Sequence, residues 1–237
     1  MTVNNHFIEV ENGEEVAAVH HEASSNKWMF LCHGFGGNKD RGNKGRAEAF
    51  NEIGWNTVRL DFRGNGKSDG EFIDQNLSTR IEDLEAVMDY FSPEKCVLFG
   101  TSFGAKVVFH TAIKNNVDGV AVKMPVTYNK TMSKFEAVIE EKGRFEYIDG
   151  KPIDERFMED LKTYSFSDVE NQLDVPVFIS HGAADQAVHI EKSIEALKNL
   201  DVDAQFQKLK GVKHSYSEEG KRKMNSALKT WLELIYN

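Results

Sequence analysis

The segment GTSFG at residues 100–104 contains the serine of this chain that is best placed for nucleophilic chemistry. A serine hydroxyl attacks a carbonyl only where a base can take its proton and where the side chain projects towards a substrate. A Gly-x-Ser-x-Gly turn between a strand and a helix meets the second condition, because its glycines let strand and helix approach closely. An apolar run at residues 96–99 precedes the turn and a helical pattern follows it. We therefore predict that Ser102 is a nucleophile.

Two later segments supply a candidate acid and a candidate base. HGAAD at residues 181–185 follows one apolar run, and KGVKH at residues 210–214 follows the next. The carboxyl ends of parallel strands meet at one edge of a sheet, where the serine turn also lies. The order serine, acid, histidine is the one found with this kind of turn. We predict that His214 takes the proton of Ser102 and that Asp185 orients the imidazole.

The glycine-rich segment HGFGG at residues 33–37 is the candidate electrophilic half of the site. A loop rich in glycine can direct backbone N–H groups to one point, where they stabilise an oxyanion. The predicted donors are the N–H groups of Phe35 and of Phe103, the residue after the nucleophile. His33 itself is interpreted as structural.

Other kinds of site are disfavoured by their spacing. GKS at residues 66–68 imitates the end of a phosphate-binding loop, but Asp61 stands where the first glycine is required, so we expect a structural loop there. Lys39 occupies the third glycine position of a dinucleotide fingerprint. His20, His21 and His189 lack partners at metal-ligand spacing. The sequence predicts neither a metal nor an organic cofactor.

Short apolar runs alternate with helical patterns along the chain, which predicts an α/β fold with a mostly parallel sheet and helices on both faces. Asn12-Gly13 separates the first two runs and predicts a hairpin. Predicted helices cover residues 81–91, 102–114 and 224–235. The predicted strands are residues 7–10, 16–20, 28–32, 56–60, 96–99, 117–124, 175–180 and, near an edge, 204–209.

Residues 125–173 interrupt this alternation with almost fifty residues. We predict a core made of residues 1–124 and 174–237, with 125–173 as an inserted lid. The insertion has the pattern of a helix at 131–142, a hairpin at 144–153 around Asp149-Gly150, and a second helix at 152–161. Insertions of this length in a compact domain are usually functional, and the alternative is an added surface subdomain without a role.

Composition limits the partners. The 237 residues include 38 acidic and 29 basic side chains, for a net charge of −9. This balance disfavours nucleic acid, whose phosphates require a basic face.

The N-terminus is polar and no apolar run approaches the length that spans a bilayer, so we expect a cytoplasmic protein without a membrane partner. Cys32 and Cys96 lie in apolar runs and are interpreted as buried thiols. The oligomeric state stays open.

With these motifs in order, the sequence resembles the α/β-hydrolase superfamily along nearly its whole length. The markers are HGFGG at 33–37, DFRGNGKSDG at 61–70, GTSFG at 100–104, HGAAD at 181–185 and His214. More narrowly, HGF, KSDGEF at 67–72 and an insertion with a hairpin resemble bacterial cinnamoyl and feruloyl esterases. One departure is Thr101, where such enzymes often have histidine.

The narrower resemblance implies that the insertion shapes an acyl pocket. Aromatic residues of the insertion are candidates for lining it, although they could equally pack the lid. The predicted substrate-binding residues are Tyr128, Phe145 and Tyr147, and Phe135 and Phe157 are further candidates.

The sequence thus predicts hydrolysis of a carboxylic ester, a small molecule, through an acyl-enzyme on Ser102. Thioesterase, peptidase and acyltransferase activities use the same groups and remain open. A further alternative is a catalytically silent binding protein on the same fold.

Overall fold

The structure is a computed structural model that describes residues 2–148 and 150–236. Its centre is an eight-stranded sheet, whose strands are β1 Thr2–Glu9, β2 Glu15–Glu22, β3 Lys27–Cys32, β4 Asn56–Leu60, β5 Lys95–Thr101, β6 Gly119–Lys123, β9 Val177–Gly182 and β10 Ala204–Leu209. These strands lie in the order β1-β2-β4-β3-β5-β6-β9-β10. Two shorter strands, β7 Arg144–Glu146 and β8 Pro152–Asp154, form a separate hairpin.

The sheet is mostly parallel. Only the β1–β2 and β2–β4 pairs of this sheet are antiparallel, and the other five neighbouring pairs run in the same direction. The predicted α/β fold is therefore confirmed, as is the opening hairpin around Asn12-Gly13. The prediction of a strand at residues 204–209 near an edge is also confirmed, since β10 is the last strand of the sheet.

Helices cover both faces because consecutive strand residues point to opposite sides. On β3, Phe30 belongs to the apolar cluster on one face, whereas Met29 and Leu31 belong to the cluster on the other. The helices are α1 Lys44–Asn51, α2 Leu77–Phe91, α3 Phe103–Ala112, α4 Ser133–Lys142, α5 Glu155–Lys162, α6 Phe166–Gln172, α7 Ile190–Asn199 and α8 Glu218–Ile235. The first cluster contains residues of α2, α3, α4, α5, α6 and α7, and the second contains residues of α1 and α8.

The residues between β6 and β9 form α4, the β7–β8 hairpin, α5 and α6. The predicted helix at 152–161 begins three residues late, because Pro152–Asp154 pairs with β7 and the Asp154 side chain then caps α5 by accepting the Arg156 N–H. Asp149, which the sequence places at the tip of the hairpin, lies outside the described residues. Three helices were not predicted: α1, α6 and α7.

One carboxylate joins the insertion to the core. Asp160 on α5 accepts the backbone N–H groups of Leu77 and Ser78 at 2.8 and 3.1 Å. These N–H groups belong to the first turn of α2 and have no acceptor within their own helix. Phe157 and Phe166 of the insertion are buried in the same apolar cluster as the core helices. The insertion is therefore packed against the sheet domain.

Within the described residues, no helix has both the length and the apolar character needed to span a bilayer.

Candidate active site

Ser102 stands at the turn from β5 into α3 with φ +54° and ψ −116°. This conformation costs a non-glycine residue about 1–3 kcal/mol, so its surroundings must enforce it. The Ser102 N–H donates to the Lys123 carbonyl at 2.9 Å, and the Ser102 carbonyl accepts the Val126 N–H at 3.0 Å. Backbone bonds to the end of β6 and to a residue just after it thus hold the turn in this conformation.

The two glycines of the turn are required by its packing. A Cβ on Gly100 would lie 2.4 Å from the Gly104 carbonyl oxygen. A Cβ on Gly104 would lie 2.5 Å from the carbonyl oxygen of His33. Both distances are far below contact, so any side chain at either position would push β5, α3 and the loop after β3 apart. The spacing of the Gly-x-Ser-x-Gly segment is therefore a consequence of this close approach.

The loops after β9 and β10 bring the predicted acid and base together. The Ala184 N–H donates to the Val212 carbonyl at 2.9 Å, which fastens one loop to the other. Asp185 Oδ2 then lies 2.7 Å from His214 Nδ1. The carboxylate is fully buried, whereas the imidazole is 32% exposed. A carboxylate can only accept, so Nδ1 carries a proton, and in the neutral ring Nε2 is the nitrogen with the free lone pair.

The other oxygen of Asp185 is also occupied. Oδ1 accepts the N–H groups of Ala187 and Val188 at 2.9 and 3.0 Å. Burial by itself would raise the pKa of Asp185, but hydrogen bonds from His181, His214 and the Val188 N–H outweigh it and hold the pKa well below its usual range. The carboxylate is therefore ionised at neutral pH and available to stabilise an imidazolium.

His181 is a functional candidate that the sequence analysis missed. Its ring is fully buried, with Nε2 at 3.0 Å from the Val188 carbonyl and 3.4 Å from Asp185 Oδ2. Nδ1 accepts from Ser193 Oγ at 2.7 Å. The Nε2–H group of His181 thus points at the Val188 carbonyl and the Asp185 carboxylate, and it helps to fix the position of Asp185. The only signal in the sequence was the HGAAD segment, where His181 and Asp185 are four residues apart.

Ser102 and His214 line the same cavity, of about 100 Å³. Most of its walls are apolar, and they come from the loop after β3, the start of α3, the insertion and the loop after β9. Besides Ser102 and His214, its described lining residues are Phe35, Phe103, Val126, Thr131, Met132, Phe135, Tyr147, Ala187 and Val188. The structure therefore brings all three residues of the predicted triad to one site, Asp185 through its bond to His214.

The residues predicted to supply the oxyanion donors lie side by side at this cavity. Gly34 and Gly37 close a turn through a 3.1 Å bond from the Gly37 N–H to the Gly34 carbonyl, and Phe35 is a central residue of that turn. Phe103 is the first residue of α3, where N–H groups have no acceptor within the helix and the dipole favours negative charge. The Phe35 and Phe103 rings are in edge-to-face contact at 5.2 Å.

His33 has the structural role predicted for it. The ring is fully buried, Nε2 accepts the Phe62 N–H at 3.3 Å, and Nδ1 donates to the Gly34 carbonyl at 2.7 Å. Burial, together with the nearby Arg80 charge, lowers the pKa of His33 to about 3. The neutral ring therefore links the loop after β3 to the loop after β4.

Asp61 has a similar position in the loop after β4. Its buried carboxylate is 2.9 Å from Lys39 Nζ and also accepts the N–H of Lys67 at 2.9 Å. The carboxylate thereby ties this loop to the segment that follows the glycine-rich turn. This agrees with the predicted structural loop.

Arg80 is a second residue that the sequence analysis missed. It is fully buried behind the glycine-rich turn, with its guanidinium 4.7 Å from the ring centre of Phe62, 5.3 Å from that of Phe35 and 5.5 Å from that of Phe103. Burial lowers the pKa of Arg80 to about 10, so it stays protonated at neutral pH. In the sequence it is only a polar residue beside an apolar helical stripe, and nothing marks it as buried.

Of the three predicted substrate-binding residues, only Tyr147 lines the cavity. Tyr128 is not among the described lining residues, and its hydroxyl donates to Glu170 at 2.6 Å. Phe145 lies one layer behind the cavity, where it stacks on Phe135 at 4.6 Å. Phe135 is itself a lining residue. These positions depend on which side of each helix and strand of the insertion faces the cavity. The sequence alone does not reveal that orientation.

A mostly parallel sheet with a strained serine turn after its central strand is the α/β-hydrolase fold, and solved structures have the same fold. A putative hydrolase from Agrobacterium vitis has a TM-score of 0.85 at 21% identity, covering 97% of this chain and 99% of that one. Est1E from Butyrivibrio proteoclasticus with bound ferulic acid has a TM-score of 0.83 at 22% identity, covering 98% and 100%. A monoacylglycerol lipase from Paleococcus ferrophilus has a TM-score of 0.75 at 19% identity, covering 99% and 100%.

The family is identified from the sequence. Residues 23–145 match the model of the hydrolase family described as serine aminopeptidase, S33, and the chain belongs to this family. An uncharacterized 31.7 kDa protein of Escherichia coli, from the traX-finO intergenic region, is 34% identical over 93 residues. That match covers 37% of this chain and 32% of the relative, so it spans about a third of the relative's length. The predicted superfamily is thus confirmed.

Proposed function

We propose that this hydrolase cleaves carboxylic esters through an acyl-enzyme on Ser102. The observation that carries the proposal is the 2.7 Å bond between Asp185 and His214 at a cavity that Ser102 and His214 both line. That bond leaves Nε2 of His214 as the basic nitrogen of the ring. A buried anion, an oriented imidazole and a serine on a strained turn are the groups that acyl transfer needs.

The proposed reaction has two halves. Ser102 Oγ adds to the ester carbonyl carbon while His214 Nε2 takes the hydroxyl proton, and the N–H groups of Phe35 and Phe103 hold the oxyanion. Collapse breaks the bond to the alcohol, which leaves with the proton from His214. Water then adds to the acyl-enzyme, again giving its proton to His214. The second collapse releases the acid and returns the proton to Ser102.

The cavity supports an uncharged, apolar acyl group. Phe35, Phe103, Phe135 and Tyr147 surround it with aromatic rings, and the insertion contributes Phe135 and Tyr147. We infer that residues 125–173 act as a lid that shapes the acyl pocket. Aromatic acyl groups of the cinnamoyl class suit such a lining, because offset and edge-to-face ring contacts are favourable.

Peptide hydrolysis is the alternative that the family description raises. An aminopeptidase must hold the free α-ammonium of its substrate, and a carboxylate is the usual partner for a buried ammonium. None of the described residues lining the cavity is acidic. This observation favours an ester or a thioester over an amino-terminal peptide.

We also propose a cytoplasmic location, with which the buried free thiols of Cys32 and Cys96 agree.

The test compares aryl esters of acetate, butyrate and cinnamate with a matching thioester and an aminoacyl anilide. We expect ester turnover that Ser102→Ala and His214→Gln both abolish while the thermal unfolding midpoint stays close to that of the native chain. His189→Gln is the matched control, since His189 is an exposed histidine that is not among the described residues lining the cavity. Full ester turnover by folded Ser102→Ala would rule out the proposed nucleophile, and turnover of the anilide alone would favour the peptidase.

A further inference from the structure

The hairpin of the insertion lies directly on the glycine-rich turn. Lys151, just before β8, donates from Nζ to the Gly36 carbonyl at 2.8 Å. The Tyr147 ring packs edge-to-face on Phe35 at 4.8 Å. A Cβ on Gly36 would meet Tyr147 at 3.4 Å and Lys151 Cδ at 3.5 Å, so these two side chains cover the turn closely. The insertion therefore contacts the segment that supplies one of the proposed oxyanion donors.

The Lys151 bond continues through two peptide groups towards the cavity. The Gly36 carbonyl and the Gly37 N–H belong to one peptide group, and that N–H donates to the Gly34 carbonyl at 3.1 Å. The Gly34 carbonyl and the Phe35 N–H belong to the next peptide group in the series. His33 Nδ1 donates to the same Gly34 carbonyl at 2.7 Å. A lysine ammonium thus stands at one end of a hydrogen-bonded series whose other end is the Phe35 N–H.

Hydrogen bonds in such a series polarise one another, and a cation at the carbonyl end withdraws electron density from each peptide group in turn. The N–H at the far end becomes a stronger donor, and the same bonds hold the turn in one orientation. Both effects matter most when negative charge develops on the substrate oxygen, because preorganised donors stabilise that charge without further rearrangement. A donor that is also fixed in place contributes mainly to the transition state.

We propose that Lys151 is a positioning residue of the oxyanion hole, acting on the Phe35 N–H through the peptide groups of Gly36 and Gly34. This inference rests on the proposed function, since it assigns a task to the Phe35 N–H in acyl transfer. It also gives the insertion a second task besides covering the acyl group. A movement of the β7–β8 hairpin away from the glycine-rich turn would break the Lys151 bond to Gly36 and weaken the oxyanion hole. The position of the insertion and the rate of the chemical step are therefore coupled.

The first experiment measures catalysis in Lys151→Met, Lys151→Arg and the control Lys142→Met, in which an exposed lysine of the same insertion is replaced. Loss of one charge-assisted hydrogen bond predicts a decrease of about tenfold in kcat and in kcat/KM for Lys151→Met, with KM nearly unchanged. Lys151→Arg should recover most of the rate, because the guanidinium can also donate to Gly36. Lys142→Met should behave as the native chain.

An oxyanion-forming inhibitor separates this effect from a general loosening of the pocket. A trifluoromethyl ketone adds to Ser102 Oγ and gives a hemiketal oxyanion, whereas the corresponding alcohol binds without forming one. We expect Lys151→Met to lose about tenfold in affinity for the ketone and nothing for the alcohol. Equal losses for both compounds would mean that Lys151 only shapes the pocket and would overturn the inference.

The second experiment does not depend on catalysis. In isotope-labelled protein, the amide proton resonances of Gly37 and Phe35 should move to lower frequency in Lys151→Met and stay in place in Lys142→Met, because a weaker hydrogen bond shields the proton. Unchanged resonances, or changed resonances with native kcat, would each overturn the inference. A chain that hydrolyses none of the esters refutes the proposed function and with it the catalytic task of Lys151. The resonances then still show whether the contact polarises the turn.

Discussion

Replacement of Asp185 by asparagine should disable His214 while leaving the fold almost unchanged. Oδ1 accepts two backbone N–H groups, from Ala187 and Val188 at 2.9 and 3.0 Å, so the position requires an oxygen. The amide nitrogen of Asn must therefore take the position of Oδ2, at 2.7 Å from His214 Nδ1. That nitrogen donates, which forces Nδ1 to accept and leaves the ring proton on Nε2.

An imidazole with its proton on Nε2 cannot take the proton of Ser102. The loss of the general base and of the buried anion that stabilises the imidazolium should lower kcat/KM by about 10⁴-fold, equivalent to about 5.4 kcal/mol in the transition state. The assay is steady-state hydrolysis of the best aryl ester at neutral pH. Asp201→Asn, at an exposed aspartate after α7, serves as the control and should keep the native rate.

The same variant has a signature in stability. The pKa of Asp185 is held well below its usual range in the folded chain. The ionised carboxylate therefore stabilises the native state above about pH 4, which is the pKa of an aspartate in the unfolded chain. That contribution is lost as the pH falls through the folded pKa. Asp185→Asn should therefore unfold at lower urea concentration than the native chain at neutral pH, and the difference should shrink below about pH 4.

A loss in kcat/KM of less than about tenfold in folded Asp185→Asn would refute the proposed role of Asp185 in orienting His214.

Two further predictions concern packing and buried charge. Gly104→Ala should destabilise the chain by about 1–3 kcal/mol, because its Cβ would lie 2.5 Å from the His33 carbonyl oxygen. Gly45→Ala, on α1 and with open space around its Cβ, should instead stabilise the chain by up to about 1 kcal/mol. Equal effects in urea titrations would contradict the close approach. Lys106 on α3 is buried, which lowers its pKa to about 7, so the native chain should gain stability as the pH rises from about 7 to about 10. Burial also lowers the pKa of Lys123 to about 7, so Lys106→Met should remove about half of that slope, and an unchanged slope would contradict the contribution of Lys106.

The sequence located the strands and the candidate catalytic residues because both depend on local information. Continuous apolar runs identify strands that are covered on both faces, and β4 and β10 have the predicted bounds. Ser102, Asp185 and His214 follow such runs, and the direction of parallel strands brings the ends of the runs to one edge. Their catalytic roles stay predictions, although the structure brings them together.

What the sequence did not reveal depends on contacts between distant segments. The first turn of α1 contains Gly45 and its N-cap side chain makes no capping bond, so the pattern there is weak. Arg80 lies near the site because of how α2 packs, and His181 contacts Asp185 because the loop after β9 folds back over the end of that strand. Hydrophobic periodicity predicts neither contact. Tyr128 was expected at the acyl pocket and instead bonds Glu170, because the packing of the insertion sets which side chains face inwards.

The central claim is that Ser102 is an activated nucleophile, and the direct measurement is stoichiometric labelling of the native chain with a fluorophosphonate, followed by mass spectrometry of its peptides. We predict one label per chain, carried by the peptide that contains Ser102, with no label on folded Ser102→Ala and a greatly slowed reaction in Asp185→Asn. A native chain that remains unlabelled, or that carries the label on another residue, would contradict the account.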